Sequence, residues 1–217
     1  MRVLTTIAIL FLASTHPVLA DVRLWNTSAT ISGNMGGRVA ADAFCDADVN
    51  KPVGLSNVRA FISLSGSDEI RDMVGNYAVP GSEEIRNRDD TLTISSNFSG
   101  LLNTATVNLD NPVAGSGGSP SPWTFSAADG SLDINNCTGG TSAAGLGTTG
   151  NQLLTDDRYL NRSTNSCGNS QALYCLSWNS ASAPVAQSIP TTTGWSLLLT
   201  AFVMLALLRK RFARLKH

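Results

Sequence analysis

The residue types best able to do chemistry in this 217-residue chain are four cysteines, three pairs of identical adjacent acids and one short acidic run. In an oxidising compartment Cys45, Cys137, Cys167 and Cys175 make two disulfides, and their spacing alone leaves all three pairings open. Zinc is the rival use, but it takes a close pair of ligands such as C-x-x-C, and the nearest two of these cysteines are eight apart. Glu83-Glu84, Asp89-Asp90 and Asp156-Asp157 offer glycosidase-type chemistry only where two carboxylates face each other about 5 to 9.5 Å apart across a cleft. Neighbouring acids on polar loops are ordinarily just solvated. Asp46, Asp48 and Asn50 begin with the spacing of a calcium loop, but Lys51 stands where the sharp-turn glycine belongs and Asn57 where the bidentate acid belongs. A solvated helix end is the expectation there, with no metal. The only histidines, His16 and His217, lie in the two end segments, which excludes a His-dependent triad from everything between them. Gly115 to Gly118 lacks the Lys-Ser/Thr of a phosphate loop. The expectation is a protein that is not an enzyme and carries no cofactor.

Aromatic side chains are the remaining candidates. Trp123 and Phe125 in PWTFS, with Tyr174 and Trp178, make up the main aromatic content of the middle region. Core packing is the first expectation for such residues, since each buries a large area. The functional alternative places Trp123 and Phe125 on a loop, stacked on a sugar or peptide ligand. Four Asn-x-Ser/Thr sequences, at Asn26, Asn97, Asn136 and Asn161, suit surface turns.

The two ends read as membrane signals. Arg2, an apolar run from Val3 to Ala13 and Val18-Leu19-Ala20 before Asp21 have the build of a secretory signal peptide, residues 1–20, cut after Ala20. Near the other end Trp195 to Leu208 is fourteen uncharged residues, about 21 Å as a helix against a hydrocarbon slab of about 30 Å. Arg209, Lys210, Arg211, Arg214 and Lys216 follow and keep the tail in the cytoplasm. Ile189-Pro190-Thr191, then Trp195, the apolar segment and the basic end resemble the IPTL-type C-terminal sorting signals of Gram-negative bacteria. That resemblance implies recognition of the 189–217 segment by an exosortase-like membrane protease, with the inner membrane as an earlier partner. An ordinary single-span anchor is the alternative.

Between these ends, after which residues 180–188 form a linker, the chain is long enough for one domain with a real core. Residues 21–188 hold nine of the fifteen bases and all sixteen acids, a net of -7, so nucleic acid is not an expected partner. VRAFISLS (58–65) and QALYCLSW (171–178) read as strands. GGRVAADAFCDAD reads as a helix behind a Gly-Gly turn, with Val39, Ala43, Phe44 and Ala47 as its apolar face. A second short helix is expected over SDEIRDMV, capped by Ser67, with Ile70, Met73 and Val74 sharing a face. Residues 112–122 form a long turn-rich loop.

NTSATISGNMGGRVAADAFC, VRAFISLS, PWTFSAADG, NNC and CGNSQALYC, in that order, resemble a bacterial group of secreted domains with the C-type-lectin-like, endostatin-like fold. The resemblance covers nearly all of residues 24–178, and we take residues 21–179 as the domain. It implies an α+β domain of mixed short strands, one or two helices and long loops, with Cys45 joined to Cys175 and Cys137 to Cys167. In the chain-entropy description those links, closing about 130 and about 30 residues, contribute at most about 5 and about 4 kcal/mol. The calcium-and-sugar tripeptides of sugar-binding lectins are absent from the sequence. The function expected is a non-enzymatic binding or adhesion module at the cell envelope, with a glycan or matrix protein as its ligand. A structural envelope component and a carboxylate-based polysaccharide hydrolase are the alternatives.

Overall fold

The computed structural model describes residues 21–102, 109–113 and 121–179, all within one compact unit, Met1–Ser182. The signal peptide, the linker and the sorting segment predicted at the two ends lie outside the described residues. So does most of the turn-rich loop, residues 114–120.

The fold is α+β. Its main sheet has five strands in the order β3-β9-β1-β4-β5. These are β1 (Val22–Asn26), β3 (Asn57–Ala60), β4 (Ile85–Arg86), β5 (Thr93–Ser95) and β9 (Tyr174–Trp178). The first and last strands form the centre, antiparallel in full register from Val22 opposite Trp178 to Asn26 opposite Tyr174. All ten of their residues are buried. Strand alternation sends their side chains to two faces. Val22, Leu24, Tyr174, Leu176 and Trp178 pack with Phe61, Ile70, Ile94 and Tyr159 on one side. Trp25 and Cys175 pack with Ala41, Ile62, Trp123 and Phe125 on the other. The two buried tyrosine hydroxyls on this side are satisfied, Tyr159 donating to the Leu101 carbonyl (2.7 Å) and Tyr174 to that of Tyr159 (3.2 Å). Arg23, the one charge in the central pair, is held by Asp21 and by Asp90 at 2.8 Å.

Both predicted strand regions are extended, though each is broken. VRAFISLS supplies β3 and then leaves the ladder after Phe61, whose N–H still donates to Tyr174 (2.8 Å). QALYCLSW supplies β9 and the end of β8 (Ser170–Gln171), which pairs with β2 (Ile31–Ser32).

The first helix, α1 (Gly37–Asp46), forms where predicted but presents a different face. Ala41 and Cys45 are buried, whereas Val39 is 83% exposed, Ala43 and Ala47 face solvent and Phe44 is half-buried. The Cys45–Cys175 disulfide ties the helix to the centre of the sheet and so fixes its rotation. That rotation turns Arg38 and Asp42 toward β3. Asp42 Oδ1 accepts the Ala60 N–H (2.8 Å), and Arg38 donates to the carbonyls of Ala60 (2.6 Å) and Ile62 (2.8 Å). An open strand edge invites pairing with another chain, and here a helical ion pair covers part of it.

The second predicted helix is a 3-10 turn, Ile70–Asp72, running into α2 (Met73–Tyr77). Ile70 and Met73 are buried as expected, but Val74 is not fully covered and Ser67 does not cap. Ser65 and Asp68 close a tight turn with the Leu64 N–H on the Asp68 carbonyl (2.9 Å), which holds Ser67 outside the helix start.

Candidate functional site

The cysteines form two disulfides, Cys45–Cys175 and Cys137–Cys167, with no free thiol among the described residues. This is the pairing the resemblance implied. The inner link organises the region before β9, where β6 (Leu146–Thr149) pairs antiparallel with β7 (Ser163–Ser166).

Trp123 and Phe125 sit beneath this region. Both rings are fully buried, 5.3 Å apart at their centroids, and Trp123 Nε1 donates to the Ile31 carbonyl (3.0 Å). In this structure neither ring offers a face to a ligand. They form the floor on which β6 lies, because the backbone N–H groups of Thr124 and Phe125 both donate to the Thr148 carbonyl (3.1 Å). Gly147 crosses directly over them. A Cβ there would come within 2.5 Å of the Phe125 ring and 2.6 Å of Cys137 Sγ, so no larger residue fits. On the outer side of this layer Ile134 is 92% and Leu146 49% exposed, and Ser163, Thr164 and Ser166 of β7 face solvent. The result is a stapled surface of hydroxyl and amide groups with isolated aliphatic side chains. The turn after Cys137 supports it, with the Asn136 side chain accepting the Gly139 N–H (2.9 Å).

Acids from two of the pairs, Glu84 and Asp90, come together on one guanidinium, that of Arg86. Asp89 meets Arg88 and Asp156 meets Arg158. The Arg158 hydrogen bond holds the Asp156 carboxyl below its ordinary range, while burial pushes the Tyr159 and Tyr174 phenols well above theirs. Asp48 binds backbone, accepting from the N–H groups of Ser28, Ala29 and Asn50, and Asp46 pairs with Lys51 (2.5 Å). Among the described residues no three metal-ligating side chains come together. Asn26 is buried within β1 and so is not on the surface turn expected for it. Asn97, Asn136 and Asn161 are partly exposed. Ile189, Pro190, Thr191 and Trp195 lie outside the described residues. Among the described residues no helix is long and apolar enough to cross a membrane.

Sequence reasoning missed Ile134, Leu146 and the Arg38–Asp42 pair. Only the last carried a signal, opposite charges four apart in a helix with few other charges. No protein-family model matches the chain, and no curated protein matches it.

Proposed function

We propose that this protein is an exported binding or adhesion module of the bacterial cell envelope with a C-type-lectin-like fold, acting without catalysis. The observation that carries the reading is the stapled surface over Trp123 and Phe125. A rigid floor, a disulfide and a layer rich in hydroxyls and amides suit contact with a glycan or a matrix protein. Two disulfides favour an oxidising, extracytoplasmic setting. The arginine partners of the paired acids leave little support for carboxylate hydrolysis. In this reading the 189–217 segment is processed by an exosortase-like protease near Ile189-Pro190-Thr191, and the domain then stays at the surface or is released.

The test is a glycan and matrix-protein array probed with the mature protein from its host. Saturable binding that Ile134→Asp and Leu146→Asp weaken at least tenfold supports the reading. Ordered self-assembly with no such binding assigns a structural envelope role instead. Turnover of a polysaccharide, lost in Asp156→Asn, overturns the non-catalytic part.

A further inference from the structure

The four Asn-x-Ser/Thr sequences, at Asn26, Asn97, Asn136 and Asn161, hold their amide nitrogens in different ways. Attachment of a sugar replaces one of the two hydrogens on Nδ2 and adds a bulky polar group there. The nitrogen must therefore face outward and be spared from holding the fold together. Three of the four fail on that count. Asn26 is fully buried in β1, with Nδ2 donating to the side-chain oxygen of Gln152 (2.9 Å). Asn136 is tied at both ends of its amide, Oδ1 accepting the Gly139 N–H (2.9 Å) and Nδ2 donating to the Asp133 carbonyl (2.7 Å). Asn161 spends both hydrogens, one on the Ser126 carbonyl (3.2 Å) and one on Asp133 Oδ2 (3.1 Å). At each of these positions the nitrogen is turned inward onto an acceptor of the domain.

Asn97 is held the other way round. It stands between β5 and the 3-10 turn Phe98–Leu102, and that turn is well seated. Phe98 is buried with its ring edge-on to Phe61, centroids 6.1 Å apart, and its N–H donates to the Gly81 carbonyl (3.1 Å). Asn97 Oδ1 accepts the Gly100 N–H (2.9 Å) and the Ser99 hydroxyl (2.7 Å). The Gly100 donor fixes which end of the amide is oxygen, and since the amide is planar, an oxygen held against the turn directs Nδ2 away from it. There its one hydrogen bond among the described residues goes to the exposed Ser96 hydroxyl at 3.3 Å. The acceptor nitrogen and the hydroxyl of the sequence are thus held together on the surface by a fixed support.

We propose that Asn97 is the N-glycosylation site of the folded domain. The donor class is an oligosaccharide carried on a lipid pyrophosphate, with a membrane oligosaccharyltransferase as the catalyst. Asn97 Nδ2 bonds to the anomeric carbon and gives up one hydrogen as a proton. The bond from that carbon to the pyrophosphate oxygen breaks, and the lipid pyrophosphate leaves with the electron pair. One N–H remains on the product and can keep the Ser96 contact, so the fold loses no hydrogen bond. This inference goes beyond the binding reading and shares with it only the export of the domain.

The experiment is peptide mapping by mass spectrometry of the mature protein from its host, disulfides intact. It is mapped before and after incubation with a lipid-linked oligosaccharide and a transferase that requires only Asn-x-Ser/Thr. Asn97 should carry the sugar at least tenfold more often than Asn26, Asn136 and Asn161 together, and Asn97→Gln should cut total transfer at least tenfold. The reduced, unfolded protein should take sugar at all four positions. Asn97 left bare after incubation, a preference below tenfold, or the same preference in the unfolded chain overturns the proposal. None of these outcomes touches the array result at Ile134 and Leu146, so the two readings fail separately.

Discussion

Asp42 on α1 accepts the outward N–H of Ala60 on β3 at 2.8 Å, so a helical carboxylate stands where a neighbouring strand would offer a carbonyl. Arg38 completes the arrangement, joining two backbone carbonyls to Asp68 at 2.8 Å. Arg38→Met should therefore leave two carbonyls and a part-buried carboxylate short of donors and cost about 2–4 kcal/mol. Urea unfolding of the two proteins measures the difference. A loss below about 0.5 kcal/mol would show that the edge needs no cover.

Removing the inner disulfide as the Cys137→Ser, Cys167→Ser pair should cost up to about 3.6 kcal/mol in the loop-entropy description. The loss should be largest around β6 and β7, read as faster amide exchange there. Uniform exchange across the domain would mean that the link does not organise the stapled surface.

Gly147→Ala forces a methyl group against Phe125, Trp123 and Cys137, and we expect about 1–3 kcal/mol of destabilisation from overpacking. Gly66→Ala meets nothing within 4 Å and serves as the control, expected to stay within about 0.5 kcal/mol of the native protein. Equal melting temperatures for the two variants would contradict the close approach of β6 to its aromatic floor.

The Ser131 hydroxyl, bonded at 2.5 Å, holds the Asp129 carboxyl below its ordinary 3.8, with Arg71 adding to the effect. A lowered folded value means that ionised Asp129 stabilises the fold above the ordinary carboxylate range, and that this contribution fades as pH falls through the lowered value. Asp129→Asn should thus show a constant deficit from neutral pH down to about pH 5, shrinking below it. A deficit that persists unchanged into acid would show the loss to be steric.

The helix carrying Cys45 was legible in sequence, but its rotation was not. Val39, Ala43, Phe44 and Ala47 have helical spacing, yet Cys45 must reach Cys175, and that single bond turns the alanine-rich stripe outward. The short run of aromatic and apolar residues in QALYCLSW marked β9. Its central partner β1 went unread because Arg23 interrupts the run, and the residue that stabilises the charge from afar, Asp90, is distant in sequence. Burial was the first expectation for Trp123 and Phe125, with ligand contact as the alternative, and both rings are buried. What PWTFS does not reveal is the strand above them, which lies so close only because Gly147 has no side chain. The cysteine pairing was legible only through the resemblance to C-type-lectin-like domains, as spacing left three arrangements open.

The seam between β1 and β9 also imposes an order of events. Val22 faces Trp178, and the Asn179 N–H still reaches the Asp21 carbonyl at 3.2 Å, so the middle of the sheet is assembled from opposite extremes of the domain. A chain threading through a pore amino-end first would deliver β1 early and keep it waiting, its apolar side chains without their mate, until residue 178 had cleared. Closure of the sheet would thus wait until β9 had emerged. A stop codon only a few residues upstream of Tyr174 would be expected to yield a product that never closes, rather than a slightly shortened version of the same domain.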